Sequence, residues 1–218
     1  MQIAIIGTGS VGAAIARGLK GKGHDVTLGA RDPASDEVAA LAAEVGATAA
    51  TQGNAAAAAE MAFIALPWFV AENAVKALGD LSGKIVVDCM NPLGMVDGAL
   101  GLTVGHSTSG GEILQEWLPG ARVVKALNQV GAETMADNAG MAHRPAMFTA
   151  GDDEAAKQAV AAVLGDLGFD AHDAGGIAKS RLLEPFAMLW INQALFRGKG
   201  RAWAFAAVDG AKAAADEA

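Results

Sequence analysis

The sequence contains one cysteine, Cys89, and no tyrosine. A single thiol excludes an internal disulfide and a cysteine-based metal cluster. Placed at the end of the apolar run Ile85-Val86-Val87-Asp88-Cys89, it reads as a small buried filler and not as a reactive group. Basic residues are also scarce, with 16 Lys and Arg against 24 Asp and Glu for a net charge of −8. No basic run offsets this, which excludes nucleic acid and anionic membrane surfaces as partners. No stretch reaches the roughly 18 uncharged apolar residues of a membrane span. Met1 leads straight into an apolar strand with no charged-plus-apolar leader, so a soluble, cytoplasmic protein is expected. His24, His106, His143 and His172 are scattered without metal-ligand spacing. Apolar residues make up 52% of the 218 positions, much of it alanine, which suits closely packed helices. A chain of this length buries on the order of 70% of its unfolded surface, as one large or two small domains.

The most informative segment lies at the start. Ile3-Ala4-Ile5-Ile6 runs into Gly7-Thr8-Gly9-Ser10-Val11-Gly12 and then into an alanine-rich helical pattern. Strand, GxGxxG turn and helix in that order form the dinucleotide-binding fingerprint. Gly7 permits the tight turn, Gly9 lets the backbone approach a pyrophosphate, and Gly12 lets the helix pack against the strand. The pyrophosphate would sit on the unpaired N–H groups at the helix N-terminus. An ordinary strand-turn-helix is the alternative, because glycine-rich turns are common.

The second strand, Asp25 to Gly29, follows the helix-stop glycines Gly21 and Gly23 and ends at Ala30-Arg31. That end reads the adenine ribose. An acidic residue there favours the 2′-hydroxyl of NAD, whereas an arginine among small residues favours the 2′-phosphate of NADP. Arg31 therefore points to NADP, through charge-assisted contacts worth roughly 1.5–3 kcal/mol. In the competing reading Arg31 pairs with Asp32 at the surface and Asp32 accepts from the ribose. Asp32-Pro33 instead suits a helix cap and first turn.

Strand and helix patterns then alternate as a doubly wound sheet requires. Helices are expected over 35–45, 54–60, 69–78 and 109–117, and strands over 47–50, 61–66, 85–89 and 122–127, with a turn at Asn91-Pro92. The residues just beyond the strands lie at the ligand edge: Thr8, Arg31, Pro67-Trp68, Asn91-Pro92 and Asn128-Gln129. Leu66-Pro67 would form an apolar wall, and Asn128 would orient a nicotinamide carboxamide, cap a helix beginning near Gly131, or do both. Further on, 146–150 reads as a strand, Asp152-Asp153-Glu154 as the acidic first turn of a helix over 155–167, and 169–172 as a last strand. A strongly apolar helix over 177–196 should be buried between domains or subunits, with Pro185 kinking it or marking a late start. The tail beyond Gly210 should fray.

Several pieces resemble the NADPH-dependent reductases of the deazaflavin coenzyme F-420. They are the initial Ile6-Gly7-Thr8-Gly9, Gly29-Ala30-Arg31, Leu66-Pro67-Trp68, Asn91-Pro92, Val123-Val124-Lys125-Ala126-Leu127-Asn128, Ala150-Gly151-Asp152-Asp153, and Asp173-Ala174-Gly175 followed by Ser180-Arg181-Leu182-Leu183-Glu184. The resemblance implies an α/β fold: a Rossmann-type, doubly wound, mostly parallel sheet over residues 1–150 that binds NADP. A small C-terminal helical part, 151–218, would complete a second pocket and a homodimer interface. Hydride would pass between nicotinamide and a deazaflavin (F-420) or a flavin-like acceptor, with no side chain needed as acid, base or metal ligand. Gly7, Thr8, Gly9, Ser10, Val11, Gly12, Ala30 and Arg31 would hold adenosine and phosphates, and Leu66, Pro67, Trp68, Asn91, Asn128 and Val130 would border the nicotinamide. The family pattern often has Ser-Arg where this chain has Ala30-Arg31, which removes a hydroxyl and keeps the charge. Only scattered basic residues, among them Lys179 and Arg181, are available for the acidic tail of F-420. Two other readings stay open: an imine or hydroxyacid reductase using Lys179, and a non-catalytic NADP-binding redox sensor.

Overall fold

The computed structural model describes residues 1–208, so the tail expected to fray lies outside the described residues. The chain runs β1 (Gln2–Ile6), α1 (Ser10–Leu19), β2 (Asp25–Ala30), α2 (Asp36–Val45), β3 (Thr48–Thr51), α3 (Gln52–Ala58), β4 (Met61–Ile64), α4 (Trp68–Lys76) and β5 (Ile85–Asp88). It continues through β6 (Leu93–Val96), β7 (Ala99–Leu102), α5 (Gly110–Trp117), β8 (Arg122–Lys125), α6 (Ala132–Ala136), β9 (Ala146–Gly151), α7 (Glu154–Asp166), β10 (Asp170–Asp173) and α8 (Ser180–Ile191). A 3-10 turn, Ile177–Lys179, precedes α8 and a π turn, Asn192–Phe196, follows it.

Eight strands form one sheet in the order β10-β9-β8-β5-β4-β1-β2-β3. β3, β2, β1, β4, β5 and β8 pair in parallel, as six strands joined by helical crossovers should. β9 then pairs antiparallel with β8, and β10 parallel with β9, so the last two strands run the other way.

Alternate residues of each strand face opposite layers. In β1, Ile3 and Ile5 join the core under α1, α2 and α7, while Ala4 and Ile6 join the core under α3, α4 and α5. Burying each such isoleucine contributes about 1.5–3 kcal/mol.

The helices begin and end where local chemistry asks. Gly46 closes α2 in the left-handed conformation. Asp153 caps α7 by accepting the Ala156 N–H at 2.7 Å and Glu154 stands in its first turn, whereas Asp152 accepts the Ile177 N–H at 2.8 Å. Ser109 caps α5, its Oγ accepting the Glu112 N–H and donating to Glu112 Oε2 at 2.7 Å.

Two expectations need correction. The β6–β7 hairpin occupies a stretch with no strand assigned, although its turn, Asp97-Gly98, has φ of 50° and 80°, the signature of a two-residue hairpin loop. The helix expected over 177–196 is three successive helical forms, a 3-10 turn, α8 and a π turn. Leu183, Ala187 and Trp190 pack inward while Leu182, Leu189, Leu195 and Phe196 are exposed. Pro185 sits inside α8, where it lacks the N–H that would bond the preceding turn.

Candidate active site

The turn after β1 is built by two close approaches. Gly7 has φ of 105° and donates its N–H to the Gly29 carbonyl at 3.0 Å. A Cβ on Gly12 would lie 1.8 Å from the Gly7 carbonyl oxygen, so only glycine lets α1 start against the turn. A Cβ on Gly9 would meet nothing within 4 Å, since Gly9 faces open space. Gly9 caps α1 without a side-chain bond, and the first turn carries no acidic residue. The leading amides of the helix are thus left for an anion.

Two adjoining lobes form one groove along this edge. One, about 380 Å³, is bordered by Gly7, Thr8 and Gly9, by Ala30 and Arg31, and by Leu66, Pro67 and Phe69. The other, about 450 Å³, is bordered by Gly9, Ser10 and Val11, by Leu66, Pro67 and Trp68, and by Cys89, Met90, Asn91 and Leu93. Gly9, Leu66, Pro67 and Phe69 belong to both. The sequence reading missed Gln52, Phe69, Val70, Met90 and Leu93. Gln52 and Met90 stand within two residues of a strand end and Phe69 and Val70 in the first turn of α4, where the strand-end rule applied more widely would have found them, whereas Leu93 opens the β6 strand that the sequence did not signal.

Arg31 is exposed at the first lobe and makes no ion pair among the described residues. The surface pair with Asp32 is not formed. Asp32 instead turns the chain toward α2, its Oδ1 accepting the Ala34 N–H at 3.1 Å and its carbonyl the Ser35 hydroxyl at 3.1 Å. Ser35, not Asp32, is the residue at the helix cap. Trp68 stacks on Trp117 with ring centroids 5.3 Å apart, which fixes the wall of the second lobe.

Asn91 and Asn128 are latched together. Asn91 Nδ2 donates to the Asn128 carbonyl at 2.8 Å, and Asn128 Nδ2 donates to Asn91 Oδ1 at 3.0 Å and to the Leu183 carbonyl at 3.2 Å. Asn128 Oδ1 accepts from Gln129 Nε2 at 2.9 Å. The Asn128 carboxamide is therefore engaged within the protein, and neither Asn128 nor Val130 borders the two lobes. The alternative role at a helix cap is not taken either, because Gly131 caps α6.

Beneath the second lobe lies a charged cluster that the sequence did not reveal. The Lys125 ammonium donates to Asp88 Oδ2 at 2.9 Å and to the Met90 carbonyl at 2.7 Å, and it lies 2.8 Å from Glu184 Oε1. All three side chains are shielded from solvent. Glu184 in turn accepts the Gly110 and Gly111 N–H groups at the start of α5, at 3.0 and 3.1 Å. Burial would push the Lys125 pKa down, but the Asp88 and Glu184 carboxylates outweigh it and hold the ammonium above the ordinary lysine range. Burial has the opposite effect on Cys89, pushing its thiol far up, so the only ionisable group bordering the second lobe among the described residues is neutral. Lys179 borders a different cavity, with Thr103 and His106.

The comparisons with known proteins agree with this geometry. Residues 2–92 match the sequence model of the family described as NADP oxidoreductase, coenzyme F420-dependent. A solved protein from Arthrobacter sp. FB24, provisionally named an F420-dependent NADP-reductase, is 34% identical, with 96% of this chain and 100% of that chain covered and a TM-score of 0.86. The chain belongs to the coenzyme F420-dependent NADP oxidoreductase family. A hypothetical protein from Sinorhizobium meliloti is 28% identical over 84% of this chain and 90% of its own, with a TM-score of 0.72. A reductive aminase from Aspergillus terreus, solved with an NADPH-type cofactor, is 22% identical with a TM-score of 0.64. At that identity the likeness is one of fold, and this chain spans 62% of the aminase's length. No curated protein sequence matches the chain. The family match covers the glycine turn, Arg31, Leu66 to Trp68 and Asn91, and it ends before Asn128 and α8.

Proposed function

We propose that the protein transfers hydride between NADP(H) and a deazaflavin (F-420) or flavin-like acceptor. The observation that carries this reading is a groove with a helix start free of any side-chain cap at one point and, at another, an Arg31 without an ion-pair partner among the described residues. The space beside Gly9 that a Cβ would fill is where a pyrophosphate fits. Thr8 to Gly12 would hold the pyrophosphate by backbone amides, and Arg31 would fork onto the 2′-phosphate. Leu66, Pro67, Trp68, Met90 and Asn91 would flank the nicotinamide and exclude water. NADPH, when bound, supplies the hydride. The chain's own task is to bring two rings to reacting distance in an apolar cleft, which needs no acid or base. A neutral Cys89 in the lining is compatible with that task.

The same reading makes the protein a cytoplasmic homodimer. The exposed Leu189, Leu195 and Phe196 would form its contact, and residues 151–218 would complete the acceptor pocket. The placement of Lys179 gives no support to a lysine-dependent imine reductase.

The test is to mix the protein with NADPH and oxidised F-420 and follow the visible absorbance of the deazaflavin. Bleaching is expected. Unchanged absorbance in a protein that binds NADPH would reject the deazaflavin as acceptor.

A further inference from the structure

A second cavity, about 710 Å³ and larger than either lobe of the groove, opens between the loop after β7 and the start of α8. Its ionisable side chains are His106, Lys179 and Arg181, with no carboxylate among them, in a protein of net charge −8. Arg181 is held by Glu112 through two parallel bonds of 2.8 and 2.6 Å. A guanidinium has five donors, so this fork fixes the group and leaves donors free. The Lys179 ammonium has no ion-pair or hydrogen-bond partner among the described residues and stands exposed at the same cavity. Leu102, Leu182 and Pro185 supply an apolar side.

We propose that this cavity binds a carboxylate- or phosphate-bearing group, received by Lys179 and the free donors of Arg181. The source is either a free anion or an acidic arm of the acceptor held in the groove. The hairpin root makes the second source geometrically reasonable, because Leu93 borders the groove and its directly paired neighbour Leu102 borders this cavity. The arm rests on the function proposed above, whereas the site itself does not.

Inorganic phosphate and triglutamate are titrated calorimetrically into protein saturated with NADPH, so that Arg31 does not compete for the probe. The same titration in Arg31→Ala covers the case in which NADPH does not bind. Wild type and the charge-reversal control Lys22→Glu should bind at least one probe, and Lys179→Glu should bind it at least about tenfold more weakly. Equal affinity in all three, or no heat in wild type, overturns the site. A parallel measurement compares KM for F-420 with KM for its tailless deazariboflavin. If the tail's advantage in KM is lost in Lys179→Glu while NADPH affinity is kept, the anion is the acceptor's arm. If the advantage is unaltered but the phosphate heat depends on Lys179, the anion is a free one. Absence of turnover counts against the deazaflavin and leaves calorimetry to decide the site.

Discussion

Lys125 and Glu184 meet at 2.8 Å inside the protein, one at the end of β8 and the other in α8. Two carboxylates oppose one ammonium there, and the excess negative charge rests on the first amides of α5. Lys125→Met would leave Asp88 and Glu184 facing each other without a counter-ion. The expected loss is about 3–5 kcal/mol, the range for breaking a buried pair. Urea unfolding reads it as a lower midpoint at constant slope. A loss below about 1 kcal/mol, the size of an average substitution, would show that the ammonium does not tie α8 to the sheet.

Arg31 stands at the groove without a competing partner among the described residues, so its removal should act on the ligand and not on the fold. Arg31→Ala is expected to weaken NADPH by about tenfold to a hundredfold, the worth of a charge-assisted contact, and NADH hardly at all. Calorimetric titration with both nucleotides checks this, and equal losses would remove the NADP preference.

The two glycines of the turn should separate binding from folding. Gly9→Val projects into open space, so the thermal midpoint should stay near wild type while NADPH affinity disappears. Gly12→Val drives atoms into the Gly7 carbonyl and should unfold the protein or lower its midpoint sharply. Retained binding in the first variant, or a stable fold in the second, contradicts the turn geometry.

Acid should act on Glu112. Its hydrogen bonds to Arg181 hold the carboxyl below the usual carboxylate range, against partial burial that pushes it up. A folded-state pKa below the unfolded one means the pair stabilises fully above the unfolded value of about 4.3 and loses its effect as pH falls through the folded value. Glu112→Gln should therefore be less stable than wild type at pH 7, and the gap should narrow toward about pH 3. A gap constant across that range in thermal melts would deny the ion pair its role.

Much of this arrangement was legible before any coordinates. Ile3 to Ile6, Met61 to Leu66 and Ile85 to Cys89 are apolar runs bounded by glycine, proline or asparagine, and runs of that kind betray strands. The groove residues follow because ligands bind at strand ends, a local signal. Strand direction was not legible, since alternation with a period of two is identical whichever way β9 runs. The charged cluster was hidden for another reason: Asp88, Lys125 and Glu184 lie far apart in the chain, and only folding brings them together. The hint was Lys125 between valines and alanine, and Glu184 between leucine and proline, because a charge within an apolar run implies a buried partner. Asn128 shows the limit of the strand-end rule. It stands at the right edge, yet its amide secures Asn91 and α8, not the surface of the groove.

The reversed course of β9 has a topological outcome. A parallel successor to β8 would have carried its connection back across a face of the sheet and returned to the opposite rim. Turning antiparallel instead lets the segment after β8 fold back over the α1 layer, where Ala132 and Met135 of α6 join the core with Ala14, Ile15 and Leu19. The Phe205 carbonyl later accepts the Ala146 N–H at 2.9 Å, so the chain comes back to the start of β9. One inverted strand thus overruns its neighbour, and its leading edge is satisfied by the Gln129 side chain, which bonds the Phe148 carbonyl and N–H at 2.8 and 3.2 Å, and by the returning chain at Ala146.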